Sequence, residues 1–105
     1  MTTETDIATL ATAHEAGAAG VDVREPGEYA AGHVPGAVNI PLGQVADRLG
    51  DVPAGDPVYV VCASGNRSKV GADLLTRAGR EAVSVAGGTA AWQRTGHAVT
   101  TGVRA

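Results

Sequence analysis

The apolar positions of the chain fall into short runs with two different periods. Asp6-Ile7-Ala8-Thr9-Leu10-Ala11 puts Ile7, Leu10 and Ala11 on one side of a helix that Thr5 or Asp6 can cap and Gly17 can end. Val21-Asp22-Val23 is brief and β-branched, the pattern of a buried strand. Arg24 to Tyr29 begins with the turn chemistry of Pro26-Gly27 and predicts one or two helical turns. Gly32 to Gly36 reads as a loop, and Ala37 to Ile40 as a second short strand stopped by Pro41. Leu42, Val45, Ala46 and Leu49 predict a helix ending at Gly50, followed by a connector from Val52 to Pro57. Val58-Tyr59-Val60-Val61 shows no polar alternation, as expected of a strand covered on both faces. A longer helix is predicted from about Arg67 through Val70, Leu74, Leu75 and Ala78, with Gly79 as its stop. Ala82 to Val85 is the last strand. Gly87-Gly88 then turns the chain into a final helix that carries Trp92 and stops at Gly96, and the tail after His97 is polar and extended.

Strands that alternate with helices predict an α/β fold with a small, mainly parallel sheet. A chain of 105 residues suits one such domain. Composition narrows the core: much of the apolar content is alanine, and there are two Tyr, one Trp and no Phe. The core is therefore expected to be built from Val, Leu, Ile and Ala. The net charge of -3, with no basic cluster, argues against a nucleic-acid partner. It leaves room for a small anionic ligand, for which a few local donors suffice. The single cysteine excludes an internal disulfide and fits a reducing compartment. The polar, acidic start lacks the features of a signal peptide, and the longest apolar run, Val58 to Ala63, is too short to span a bilayer. A cytoplasmic protein without a membrane association is expected.

The candidate chemistry sits at that cysteine. Cys62 follows a buried strand and precedes a helix start, where ligands bind in parallel sheets. A thiol reacts as thiolate, and its pKa falls near a helix N-terminus, a cation or several N–H donors. In Cys62-Ala63-Ser64-Gly65-Asn66-Arg67-Ser68 the residues after the sulfur are small, Gly65 permits positive φ, and Asn66 tolerates it. Such a loop can turn successive N–H groups toward the sulfur, as an anion nest does. Arg67 adds fixed charge, and the hydroxyls of Ser64 and Ser68 can donate further. A cysteine that merely filled the core would not need such a loop beside it. Asp22 ends a buried strand, where an unpaired carboxylate is costly, so it is expected to pair with Arg67 or Arg24 as structural support. His33 reads as a loop-fixing residue that hydrogen-bonds backbone, not as a base. His14 and His97 suggest no role, Trp92 reads as core, and Gly87-Gly88 as a strand-to-helix turn.

Three blocks resemble the single-domain rhodanese-like sulfurtransferases, over Asp6 to Thr101. They are Asp22-Val23-Arg24-Glu25-Pro26-Gly27-Glu28-Tyr29-Ala30-Ala31-Gly32-His33-Val34-Pro35-Gly36-Ala37-Val38-Asn39-Ile40-Pro41, the loop Cys62 to Ser68, and Gly87-Gly88-Thr89-Ala90-Ala91-Trp92. The resemblance implies a rhodanese-like fold: one domain over 1–105 with its core at about 6–101, and about five short strands flanked by helices on both faces. It implies that Cys62 takes a sulfane sulfur from a donor such as thiosulfate as a persulfide and passes it to cyanide in vitro, or to a thiol or protein in the cell. It implies that Arg67 anchors the loop and helps bind the donor. No metal or organic cofactor is expected, and the expected state is a monomer. With no second thiol, the acceptor must come from outside.

Two alternatives use the same residues. Cysteine-loop phosphatases also place Cys and Arg at a helix start, but their loop holds five intervening residues where this one holds four, and no aspartate is visibly placed as general acid. Other rhodanese-like domains act as non-enzymatic carrier or regulatory modules, many of them without the cysteine. The family's thiosulfate-active members often carry a basic residue directly after the cysteine. Ala63 stands there, so weak thiosulfate binding is expected.

Overall fold

The computed structural model describes residues 3–105. Its elements run β1 (Glu4–Thr5), α1 (Ile7–Glu15), β2 (Gly20–Asp22), α2 (Pro26–Ala31), β3 (Val38–Asn39), β4 (Val58–Val61), α3 (Asn66–Arg77), β5 (Ala82–Val85) and α4 (Gly88–Arg94). The five strands form one sheet in the order β1-β5-β4-β2-β3, and every pairing is parallel.

Local chemistry accounts for most helix ends. The Asp6 carboxylate accepts the Thr9 N–H at 2.8 Å and caps α1. Thr5, the other candidate cap, instead lies in β1 opposite Val85. That edge strand is too short and too polar to show a period, so its pairing with β5 is a tertiary effect. The second helix starts with Pro26 in its first turn, inside a reciprocal capping box between Glu25 and Glu28. α3 starts from Gly65, whose φ of 114° is in the left-handed region.

Period-2 alternation divides the core into two layers. Val58, Val60, Cys62, Val21 and Val23 pack with Ala72 and Leu75 of α3. Val61 and Val85 pack on the opposite face with Ile7, Leu10, Ala91 and Trp92 of α1 and α4. Helices therefore cover both faces, as expected. One expectation fails. The stripe Leu42-Val45-Ala46-Leu49 is not a helix but a pair of single 3₁₀ turns, Leu42–Gln44 and Leu49–Asp51. Only Val45 of the stripe is fully buried, and with Ala46 and Leu49 exposed there is no packed face to hold a longer helix together. Val70 is exposed as well. α3 buries Ser68, Gly71, Ala72 and Leu75 instead, because Gly71 lies close against Val23 and Val60, its Cβ position only 3.2–3.3 Å from their methyl groups.

The register aligns Asp22 with Val61 and Val60 with Ser84. The residues that follow β2, β4 and β5 therefore emerge together at the C-terminal edge of the sheet, with Cys62 at its centre. Among the described residues, no helix is long and apolar enough to cross a membrane.

Candidate active site

The loop after β4 is shaped from outside by the start of α4. The carbonyls of Cys62, Ala63 and Ser64 accept hydrogen bonds from the N–H groups of Thr89 at 2.8 Å, Ala90 at 3.0 Å and Gly87 at 3.2 Å. In a trans peptide the carbonyl and the next N–H point in opposite directions. Fixing the Ala63 and Ser64 carbonyls outward therefore turns the N–H groups of Ser64 and Gly65 toward the sulfur. The Gly65 N–H donates to Cys62 Sγ at 3.0 Å. The loop can lie this close only because position 88 is glycine: a Cβ there would stand 2.3 Å from the Cys62 carbonyl oxygen and 2.9 Å from that of Ala63. Gly87-Gly88 is thus more than a strand-to-helix turn.

Cys62 is buried, and burial alone pushes its thiol up. Hydrogen bonds from the Ser68 hydroxyl and from the backbone N–H groups of Ser68, Gly65 and Ser64 outweigh this and hold it below the ordinary thiol value. Ser68 Oγ lies 3.5 Å from Sγ and 2.8 Å from Ser84 Oγ, and both serines are fully buried. Ser84, on β5, was not legible as a site residue. Its neighbourhood depends on sheet order, and its only signal was a hydroxyl in a buried strand. Ser64 is exposed and contributes backbone rather than a hydroxyl bond, and Asn66 is the first helical residue and needs no positive φ. Replacing Ser68 by alanine is expected to move the titration of the single thiol upward, read by the ultraviolet absorbance of the thiolate. The ionisation constant of the thiol should fall about tenfold, the value of one hydrogen bond to a charged group.

Two ion pairs frame the loop. Asp22 pairs with Arg24, not with Arg67: Nε and Nη2 lie 3.0 and 2.8 Å from its two oxygens, and both residues are buried. The Arg24 backbone N–H also donates to Asp22 at 3.0 Å, Arg24 Nη2 donates to the Gly32 carbonyl, and Asn39 donates to the Asp22 and Arg24 carbonyls. Arg67 is claimed by a residue that sequence reading passed over. Glu28 of α2 grips it with both oxygens, at 2.7 and 2.9 Å, fastening the start of α3 to α2. The Arg67 side-chain bond, aided by the Glu25 N–H, holds the Glu28 carboxyl at about 2, and Glu28 in turn raises Arg67. His33 is fully buried, stacks on Tyr29 at 3.6 Å and shares a 2.8 Å hydrogen bond through Nδ1 with the Tyr29 carbonyl. His14, for which no role was expected, shares a bond with the Pro35 carbonyl at 2.8 Å and meets the edge of buried Trp92.

A buried sulfur under inward N–H groups at the C-terminal edge of a parallel sheet matches a known family. The family model for the rhodanese-like domain covers residues 7–95. The chain belongs to the rhodanese-like family. It is 40% identical over 80 residues to the thiosulfate sulfurtransferase GlpE of Pseudomonas entomophila, a match spanning 75% of this chain and 73% of that protein. It is 38% identical over 73 residues to YrkF of Bacillus subtilis, named as a candidate sulfur carrier, a match spanning 69% of this chain. The chain spans 40% of the length of YrkF and 58% of that of a second Bacillus subtilis relative, YqhL. A rhodanese-related protein of Thermoplasma volcanium superposes with a TM-score of 0.83 at 28% identity, over 97% of this rhodanese-like chain and 99% of that one. The five-stranded parallel sheet is the rhodanese-like fold that the sequence implied.

Proposed function

We propose that this rhodanese-like protein is a sulfurtransferase that carries a sulfane sulfur on Cys62. The observation that carries the reading is the cradle itself, in which loop carbonyls tied to α4 leave the Ser64 and Gly65 N–H groups facing a single buried sulfur. In the first step the Cys62 thiolate attacks the outer sulfur of thiosulfate, the S–S bond breaks, and sulfite leaves with its electron pair. Cys62 becomes a persulfide anion, held by the same N–H groups that held the thiolate. In the second step an external nucleophile attacks the terminal sulfur and regenerates the thiolate. Cyanide yields thiocyanate, and a thiol yields a new persulfide. These 105 residues hold no second cysteine, so no other thiol among them can accept the sulfur.

The carrier reading differs only in which partners load and unload the sulfur, and the kinship with YrkF favours keeping it beside the first. A phosphatase fits less well, because four residues between Cys62 and Arg67 make a cradle smaller than a phosphate needs. The test is intact-protein mass spectrometry after incubation with thiosulfate. The expected result is a gain of one sulfur atom that cyanide removes. Hydrolysis of a phosphate ester, with no sulfur gained from any sulfane donor, would overturn the proposal.

A further inference from the structure

The carboxylates around the loop have taken up its cations. Arg24 is committed to Asp22, Lys69 stands 3.6 Å from Glu4, and Arg67 is held by both oxygens of Glu28. Arg67 is the loop's own cation, five residues after the sulfur and at the start of α3. Glu28 keeps its own charge well below neutral pH, so both partners of the pair are ionised there. Position 63, directly after the sulfur, carries no charge. Among the described residues, each of these three cations is therefore paired with a carboxylate, and what faces the sulfur is N–H groups.

Resting on the sulfur-transfer reading, we propose that Glu28 is a specificity-determining residue: by occupying Arg67 it disfavours dianionic donors such as thiosulfate and selects donors whose sulfane sulfur sits on an uncharged organic chain, that is, thiol persulfides. A dianion has to compete with Glu28 for the guanidinium and meets the carboxylate's repulsion. An alkyl persulfide meets less of both, because it carries at most one negative charge and none when protonated. Its transfer balances without another reactant: the Cys62 thiolate attacks the outer sulfur of R–S–SH, the S–S bond breaks, R–S⁻ leaves with the electron pair, and the proton stays on the new Cys62 persulfide. The same pair gives the fold a reason to keep Glu28 that is separate from this one. Its carboxylate also accepts the Glu25 N–H at 3.0 Å in the capping box of α2.

That dual role makes the test specific. Glutamine serves a capping box as glutamate does, so Glu28→Gln removes the charge and keeps the cap. Cys62 loading is followed by mass spectrometry with thiosulfate and with 2-hydroxyethyl persulfide, and KM and kcat are compared for each. In Glu28→Gln the preference for the persulfide over thiosulfate should fall about two- to fivefold, through a lower KM for thiosulfate, the scale set by half-exposed ion pairs. Should Glu28→Gln not fold, as judged by circular dichroism, Ala63→Arg decides. It adds a cation beside the sulfur with the pair intact and should lower the thiosulfate KM in the same direction. A folded Glu28→Gln with an unchanged or higher thiosulfate KM overturns the role of Glu28 while leaving sulfur transfer standing, as does an Ala63→Arg with no gain where it is the deciding variant. Loading of Cys62 by neither donor overturns the sulfur-transfer reading, and this inference with it.

Discussion

Cys62→Ser is expected to leave a folded protein that gains no sulfur from thiosulfate or any persulfide, with turnover reduced by at least about 10³-fold. The serine oxygen occupies the sulfur's place, within reach of the Gly65 N–H and the Ser68 hydroxyl, so the buried polar groups around it keep their partners. Stability should therefore change by no more than about 1 kcal/mol, read as a near-unchanged midpoint in denaturant. Chemistry fails for a different reason. A serine hydroxyl stays protonated at neutral pH and forms no persulfide, whereas the cradle's N–H groups are arranged to favour an anion already present on sulfur. A Cys62→Ser protein that still released sulfite from thiosulfate at the wild-type rate would place the nucleophile elsewhere.

The second large effect lies outside the loop. Gly88→Ala should cost about 2–4 kcal/mol, combining overpacking against backbone with a side chain at positive φ, and lower Tm by roughly 10 °C or more. A methyl group 2.3 Å from the Cys62 carbonyl oxygen cannot be accommodated by rotating a side chain, because both partners are main chain. The loop must move away from α4, and the bonds that Thr89 and Ala90 donate to it must lengthen. The inward N–H groups would lose their aim with them, and the rate of Cys62 loading should fall about 10²-fold, as when one preorganised donor is removed from an anion site. Gly27→Ala is the control. A Cβ at position 27 meets nothing within 4 Å and its φ is ordinary, so stability and loading should stay at the wild-type level, the former within about 0.5 kcal/mol. Equal effects at the two glycines, in thermal melts and loading rates, would remove the close approach as the cause.

The sequence by itself determined the elements with strong periods and the chemistry of single residues. β4 is a run of Val and Tyr and β5 alternates Val with small residues, and Asp6, Gly65 and Gly79 mark helix ends by properties they carry anywhere. Cys62 and its small-residue loop were readable because reactivity at sulfur needs a recognisable local setting. Elements whose existence depends on a partner were not readable. The strand β1 forms only because β5 offers an edge, and the Leu42–Leu49 stripe stays a pair of turns because only one of its four apolar residues finds full cover. Which carboxylate meets which guanidinium was likewise undecided: Asp22 had two arginines to choose from, and Glu28 stands 39 positions from the Arg67 it holds. Above all, the tertiary structure decided how the loop is held. Hydrogen bonds between the 62–64 carbonyls and the start of α4, and the Ser68–Ser84 contact, join segments that only the strand order β5-β4-β2 brings side by side. A nucleophile can be named from its residue type. The cradle that governs its charge is made of backbone groups that every sequence has, and only the fold decides where they point.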